Sequence, residues 1–247
     1  MRALLDLVLP ARCAGCGEPA GPGCQQCLRA LIAPARWTRP EPAPPGLPPV
    51  ATIASYDGGP VRDLLIAYKE HGSAGLARPL GMALARSVAF AAGHCPEPIM
   101  VVPVASSGRQ CRRRGADVVA DLAAWSAWEL RASGRRADVV RALRHIRVVA
   151  DSAGLDAWAR AANAAGALGL RRGAGPLVAG RTVVIVDDLI TTGVSLAEAA
   201  RVLRAATATV VAGATIAATS RRRTRFDPGD RGIRSPAAQP HRRGLPC

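Results

Sequence analysis

Two adjacent aspartates, Asp187 and Asp188, end an apolar run and are followed by a turn that contains two threonines and a glycine. Carboxylates at such a place accept hydrogen bonds from sugar hydroxyls or assist a metal ion. Threonine hydroxyls and backbone N–H groups ahead of a helix suit a phosphate, because the helix N-terminus carries partial positive charge. The spacing therefore predicts a site that holds a phosphate beside the two acids.

The predicted site extends over the residues from the first acid to the start of the next helix. Its members are Asp187, Asp188, Leu189, Ile190, Thr191, Thr192, Gly193 and Ser195. Gly193 lets the backbone approach a ligand closely. Ser195 with Glu198 three residues later predicts a capping box at the helix start. The alternative, that the segment only caps a helix, is disfavoured because paired acids at the end of an apolar strand lower stability without a partner.

Four cysteines near the N-terminus offer a second kind of chemistry. Cys13, Cys16, Cys24 and Cys27 form two C-x2-C pairs, which supply the four thiolates of a closed tetrahedral zinc site. Disulfide pairing is the competing interpretation, and a cytosolic location disfavours it. We expect structural Zn²⁺ in a small zinc-ribbon-like element.

The scaffold for these residues is predicted by alternating apolar and amphipathic stretches. Strands are expected at residues 50–56, 99–104, 182–186 and 209–218, and helices at residues 60–70, 76–92, 116–132, 152–167 and 195–206. This alternation is typical of an α/β fold with a doubly wound parallel sheet, which binds ligands at the carboxyl ends of its strands. The acid pair is expected at that edge.

Composition divides the chain into four parts. Seven prolines within residues 34–49 predict a stiff linker between a four-cysteine element at residues 1–33 and the α/β domain at residues 50–220. Residues 221–247 are rich in arginine, proline and glycine without periodicity, and are expected to form a basic disordered tail.

Charge and hydropathy restrict the partners. The formal net charge of the 247 residues is +15, which suits a phosphate-bearing metabolite or a nucleic acid. Lys69 is the single lysine among 33 basic residues; the others are arginines. No apolar run reaches the roughly 18 residues of a membrane-spanning helix. We expect a cytoplasmic protein without membrane insertion.

Residues 183–195 resemble the phosphoribosyl-diphosphate (PRPP) binding motif of type I phosphoribosyltransferases: an apolar strand, two acids, two residues, Thr-Thr-Gly, any residue, then Thr or Ser. The resemblance implies that Asp187 and Asp188 hold the ribose 2′- and 3′-hydroxyls at the catalytic centre. It further implies that the turn from Thr191 to Ser195 cradles the 5′-phosphate and that Mg²⁺ accompanies PRPP.

The four-cysteine N-terminus joined to this motif resembles the ComF family, phosphoribosyltransferase-like proteins linked to competence and DNA uptake. Residues 56–65, 101–115 and 144–163 carry further resemblance, which covers roughly residues 1–220. In that superfamily the loop after the second predicted strand binds pyrophosphate. The candidates for this role are Ala105, Ser106, Arg109 and Arg112, with Arg147 expected to close over the leaving group from a flexible loop.

Two features weaken the pyrophosphate assignment. Arginines 112–114 fit a solvated basic face as well as they fit a phosphate grip. Many family members carry Gly-Phe-Asn-Gln where this chain has residues 115–118 with the sequence Gly-Ala-Asp-Val.

Two hypotheses about function follow. The first is an enzyme that transfers phosphoribose from PRPP to a nucleobase-like acceptor. The second is a non-catalytic module that binds a phosphoribosyl ligand or single-stranded DNA and assists DNA uptake. An aromatic content of 3% provides few surfaces for base stacking, which disfavours the DNA form of the second hypothesis. DNA-uptake machinery and a homo-oligomer are left open as partners.

Overall fold

Five parallel strands form the centre of a computed structural model, which describes residues 12–147 and 166–219. The strands are β1 (Arg36–Thr38), β2 (Val50–Ser55), β3 (Ile99–Pro103), β4 (Ala137–Val139), β5 (Leu143–His145), β6 (Leu168–Leu170), β7 (Thr182–Val186), β8 (Leu189–Ile190) and β9 (Thr209–Ala218). The main sheet has the order β1-β2-β9-β7-β3-β4, with β8 also paired to β9. Only β1 runs antiparallel to its neighbour in this sheet, while β5 and β6 form a separate antiparallel ribbon.

Helices cover both faces of the sheet. They are α1 (Gln25–Arg29), α2 (Pro60–His71), α3 (Ala77–Ala92), α4 (Gly108–Arg114), α5 (Val118–Ala132), α6 (Gly175–Val178) and α7 (Val194–Ala205). Within the described part of the chain, no helix is both long enough and apolar enough to cross a membrane.

The interior strand β7 shows why the sequence forms this layered fold. Val184 and Val186 join the apolar core beneath α2, α3 and α5, whereas Val183 and Ile185 join the core beneath α6 and α7. Because successive side chains of a strand point to opposite faces, a strand covered on both sides must be apolar throughout. The doubly wound parallel sheet expected from the alternating pattern is thus confirmed.

The predicted elements are found with small shifts at their ends. All four expected strands are present, as are the helices expected at residues 60–70, 76–92, 116–132 and 195–206. The helix expected at residues 152–167 lies outside the described residues apart from its last two positions, and so does the tail at residues 221–247. The strands β1, β4, β5 and β6 were not expected, because three residues are too few to show a period.

The proline-rich segment contributes to the sheet. Strand β1 pairs antiparallel with β2, and the Nη1 group of Arg36 donates to the carbonyl of Ile53 at 2.9 Å. Trp37 packs against Phe90 of α3 with ring centroids 5.0 Å apart, and Leu47 is buried. Part of residues 34–49 therefore packs on the domain, while the domain boundaries proposed from composition stay a prediction.

Helices α3 and α5 approach each other closely at a glycine. A Cβ atom built on Gly81 would lie 2.2 Å from the Cβ of Trp125, which is far inside van der Waals contact. The position accepts only glycine unless the two helices move apart.

We predict that Gly81→Ala lowers the free energy of unfolding by about 1–3 kcal/mol, the usual effect of overpacking. Urea denaturation followed by circular dichroism measures this change. Gly175→Ala is the matched control, since a Cβ built there meets no described atom within 4 Å. Equal stability of both variants would show that the helices separate freely at this crossing.

Candidate functional site

The turn between β7 and α7 surrounds a small open hollow. Asp187 and residues 189–196 line it, so every predicted member of the loop except Asp188 contacts this space. The turn lies at the carboxyl ends of the parallel strands, the edge predicted from the sequence. The N-terminus of α7 faces the same turn, which favours a bound anion.

The predicted capping box at Ser195 is wrong. Helix α7 begins at Val194, its N-cap is Gly193, and no described side chain caps it. Glu198 instead accepts two hydrogen bonds from Arg201, each at 2.8 Å. These bonds, and further ones from the N–H groups of Leu168 and Gly166, lower the pKa of Glu198. Glu198 therefore connects α7 to β6 through hydrogen bonds and does not cap the helix.

Gly193 is required by both conformation and space. Its φ angle of +76° lies in the left-handed region that side chains rarely adopt. A Cβ there would lie 3.0 Å from Cδ2 of Leu47 and 3.2 Å from Cγ of Pro40. The proline-rich segment thus packs directly behind the turn and leaves no room for a side chain.

The acid pair lies between the hollow and the protein interior. Asp188 is 5% exposed, and its Oδ2 atom lies 2.6 Å from Nζ of Lys69. Asp187 is half-buried, and its Oδ1 atom accepts the N–H of Asp188 at 2.9 Å. Burial and the charge of Asp188 raise the pKa of Asp187 well above its ordinary value, although Lys69 opposes this. Among the described side chains, Lys69 is thus the cation that acts on both neighbouring acids.

Lys69 and Glu70, at the end of α2, are site residues that the sequence did not reveal. Burial would lower the pKa of Lys69, but the charge of Asp188 and its hydrogen bond raise it above the ordinary value. Glu70 accepts bonds from Arg113 and Arg114, both at 2.6 Å. One helix end therefore contacts the acid pair and also α4. The available signal was that Lys69 is the single lysine of an arginine-rich chain.

The predicted pyrophosphate loop begins beside the acid pair. The N–H of Val104 donates to the carbonyl of Val186 at 2.9 Å, and Pro103 pairs with Val186, so Ala105 comes one residue beyond the level of Asp187. The carbonyl of Ala105 contacts Nε2 of His145 at 2.9 Å. The start of the loop is therefore attached to β5 as well as to β7.

The other pyrophosphate candidates are distributed over this region. Ser106 donates to Asp117 at 2.8 Å, and Asp117 also caps α5 and pairs with Arg141. Arg112 is exposed on α4. The side chain of Arg109 lies outside the described part of the chain. Arg147 is exposed just after β5. Their roles stay predictions.

The four N-terminal cysteines fit a tetrahedral metal site. Their sulfur atoms all lie within 4.8 Å of one another, and Sγ of Cys16 is 3.6 Å from Sγ of Cys24. Zinc–sulfur bonds of about 2.3 Å imply sulfur–sulfur separations of about 3.8 Å. All four are free thiols, so the competing disulfide interpretation is not supported.

Backbone N–H groups stabilise the thiolate of Cys13, whereas burial and the neighbouring thiols raise the pKa of Cys27. The N–H groups of Gly15 and Cys24 point at Sγ of Cys13, at 3.4 and 3.2 Å. Burial raises the pKa of Cys13, but these N–H donors and that of Cys16 lower it to about 6. Such donors stabilise negative sulfur, as a metal ligand requires.

The cysteine cluster packs against the beginning of α2. A Cβ on Gly15 would lie 2.8 Å from Sγ of Cys27 and 2.9 Å from Cβ of Pro60. Cys13, Cys27 and Leu31 belong to the same apolar core as α2 and α3. The cluster therefore supports one end of the helix whose other end carries Lys69.

The fold and the site define an α/β protein with an anion-favouring hollow at the carboxyl end of a parallel strand. The model of the phosphoribosyl transferase domain matches residues 83–236, which is more than half of the chain. The chain belongs to this family. The match starts within α3 and includes β7, the acid pair and α7. Comparison with curated proteins finds no match.

We predict that the purified protein carries one Zn²⁺ ion per chain and that Cys16→Ser loses it. Because Cys16 is exposed, the substitution itself leaves the core intact. Loss of the metal should lower Tm by about 5 °C or more, since a change of 1 kcal/mol shifts Tm by roughly 2–4 °C in a chain of this size. Elemental analysis and thermal unfolding measure both effects, with Cys111→Ser as the control. Unchanged zinc content in Cys16→Ser would contradict the assignment.

Lys69→Met should lower the free energy of unfolding by about 3 kcal/mol, because it leaves the buried carboxylate of Asp188 without its cation. The double variant Lys69→Met/Asp188→Asn should regain most of this loss, since a neutral amide needs no counter-ion. Chemical denaturation measures the free energy of unfolding of the wild type, Lys69→Met and the double variant. Arg62→Met, on the exposed face of α2, is the control. A double variant no more stable than Lys69→Met would mean that Lys69 acts through other contacts.

Proposed function

We propose that this protein is a phosphoribosyltransferase that binds PRPP with Mg²⁺ and transfers its phosphoribosyl group to a nucleobase-like acceptor. The observation that carries the proposal is that an acid pair, half-buried at Asp187 and buried at Asp188, lies directly beside an anion-favouring hollow at the end of β7. A ligand with both hydroxyls and phosphates needs both features, because the acids accept hydrogen bonds from hydroxyls and the hollow binds a phosphate. Membership of the phosphoribosyl transferase family supports the same ligand class.

The 5′-phosphate would occupy the hollow. Thr191, Thr192 and Ser195 line it, and their hydroxyls would bind the phosphate together with backbone N–H groups of the turn. Gly193, in its left-handed conformation, exposes the backbone to the phosphate. The partial positive charge at the N-terminus of α7 adds to the attraction.

Asp187 and Asp188 would accept hydrogen bonds from the ribose 2′- and 3′-hydroxyls. Ionised carboxylates are the better acceptors, and the raised pKa of Asp187 means that its ionised form is disfavoured before the ligand arrives. Hydroxyl donors from ribose would stabilise that form. Lys69 keeps Asp188 paired and oriented in the meantime.

The leaving pyrophosphate would lie on the side of β3. Ala105 and Ser106 start the loop there, and Arg112 on the following helix α4 would supply a guanidinium. The carboxylate oxygens of Asp187 and Asp188 that do not accept ribose hydroxyls would suit Mg²⁺, which prefers hard oxygen donors. The ion would supply charge neutralisation on the leaving group.

Catalysis would consist of positioning and charge stabilisation. Displacement at the ribose C1 builds positive charge on the sugar, and two carboxylates held at the ribose hydroxyls favour that charge. The described residues fix these carboxylates through Lys69 and the end of β7. The chain's own contribution is therefore a rigid ribose site between two phosphate sites.

The combination of a four-cysteine cluster with this domain supports placement in the ComF family and a cytoplasmic setting with reduced thiols. In that case a non-catalytic role beside DNA-uptake machinery, with single-stranded DNA as ligand, is the alternative function. The net charge of +15 favours it. Titration with PRPP, followed by an assay for pyrophosphate release, distinguishes the enzyme from the non-catalytic alternative.

Calorimetric titration with PRPP and Mg²⁺ should show binding by the wild type and at least about tenfold weaker binding by Asp187→Asn/Asp188→Asn, a change of about 1.4 kcal/mol or more. Asn keeps the shape but accepts hydroxyls less well. Affinity of the wild type should rise with pH, because the raised pKa of Asp187 favours its protonated form at lower pH.

Asp138→Asn, at an exposed position of β4, is the control for this titration. A panel of nucleobases then tests for release of pyrophosphate. Binding without release would leave the non-catalytic phosphoribosyl module. If the folded, zinc-loaded wild type does not bind PRPP, the proposal is contradicted, and single-stranded DNA becomes the ligand to test.

A further inference from the structure

Arg114, the last residue of α4, is the least exposed arginine of the run at residues 112–114. Its side chain is 14% exposed, whereas that of Arg113 is 65% exposed. Within the described part of the chain, the Nε–H group of Arg114 is buried and has no hydrogen-bond partner. A buried donor without an acceptor is unfavourable, so its presence in a folded protein requires an explanation.

The guanidinium of Arg114 uses only part of its hydrogen-bonding capacity. Its Nη2 group donates to Oε1 of Glu70 at 2.6 Å, while Arg113 donates to Oε2 of the same carboxylate at 2.6 Å. A guanidinium binds an anion best through two parallel N–H groups, and Nε and Nη2 form such a pair. This pair holds one carboxylate oxygen where it can hold two oxygens of a phosphate.

Arg114 lies at the helix end that also contacts the acid pair. Glu70 follows Lys69, whose Nζ atom is 2.6 Å from Oδ2 of Asp188. Burial and the charge of Arg114 both lower the pKa of Lys69, although Asp188 raises it overall. Helix α4 begins directly after the loop at residues 105–107. It therefore runs from the proposed pyrophosphate loop to the end of α2, beside the acid pair.

We infer that Arg114 binds the pyrophosphate group of PRPP, and that Glu70 occupies its guanidinium until the ligand arrives. The inference rests on the proposed function. Two phosphate oxygens would accept the Nε–H and Nη2–H groups together, which gives the buried donor an acceptor. Glu70 is then a competitor of the ligand, and it lowers the affinity by keeping most copies of Arg114 engaged.

The exchange of partners leaves no buried charge alone. When Arg114 turns to the ligand, Glu70 keeps Arg113 on its other oxygen. The side chain of Glu70 is 36% exposed, so water can solvate the oxygen that Arg114 releases. Lys69 is less suited to such an exchange, because its partner Asp188 has a side chain only 7% exposed and would lose its cation.

Calorimetric titration with inorganic pyrophosphate and Mg²⁺ tests the inference. Arg114→Met should weaken binding at least about tenfold, because two charge-assisted hydrogen bonds are lost. Glu70→Gln should tighten binding at least about threefold, because a neutral amide competes less well for the guanidinium. Misfolding cannot produce such a gain in affinity.

Arg113→Met is the matched control, since this neighbouring arginine bonds to the same carboxylate. As an exposed charge, it should change the affinity for pyrophosphate by less than about twofold. Ribose 5-phosphate lacks the pyrophosphate group, so the wild type and all three variants should bind it equally.

The possible results distinguish this inference from the proposed function. Equal weakening by Arg113→Met and Arg114→Met would mean that the arginine run acts only as a basic face, which overturns the inference. A Glu70→Gln variant without tighter binding overturns it as well, because Glu70 would then not compete with the ligand. If the wild type and Arg114→Met bind PRPP equally well, the inference alone fails. A wild type that binds pyrophosphate but not PRPP contradicts the proposed function, and the inference fails with it.

Discussion

The ion pair between Lys69 and Asp188 joins residues 119 positions apart in the sequence, and much of the molecule is arranged around it. Two neighbouring acids at a buried strand end are unfavourable unless a cation balances them. That cation sits at the end of α2, which fixes the helix against the sheet. Because the other end of α2 packs on the cysteine cluster, this cluster and the acid pair support the two ends of one helix. The N-terminal element is therefore structurally continuous with the face that carries the acid pair.

Local patterns predicted the parts of the site that depend on consecutive residues. Strand β7, the acids that follow it and the turn at Gly193 could be read directly, because a parallel strand buried on both faces is apolar throughout. The cysteine spacing predicted a cluster whose sulfurs do converge. Lys69 and Glu70 could not be found in this way, since their partners are distant in sequence. The capping box at Ser195 failed for a related reason: Glu198 is used by Arg201 and by the backbone near β6.

The segment with seven prolines shows that a composition typical of linkers also allows packing against a domain. It was expected to act as a stiff linker, yet it adds β1 to the sheet and places Pro40 and Leu47 behind Gly193. Proline limits the freedom of the unfolded chain, so a segment that packs in one path loses little entropy on folding. The anion-favouring turn is consequently supported from behind by residues that precede the first central strand. Substitutions of Pro40 or Leu47 would change the packing behind the turn, although neither residue lines the hollow.

The pairing of β2 with β9 has a consequence for the order in which the protein can assemble on the ribosome. Val50 is opposite Gly213, so the first central strand lacks this parallel neighbour until almost the whole domain has been translated. At roughly 5–20 residues per second, the delay is about 10–30 s. The cysteine ligands, in contrast, all lie within residues 13–27 and emerge together. A metal-bound N-terminal element would then be complete before β9 has been synthesised and can pair with β2. This element would cover part of the apolar surface of the nascent chain.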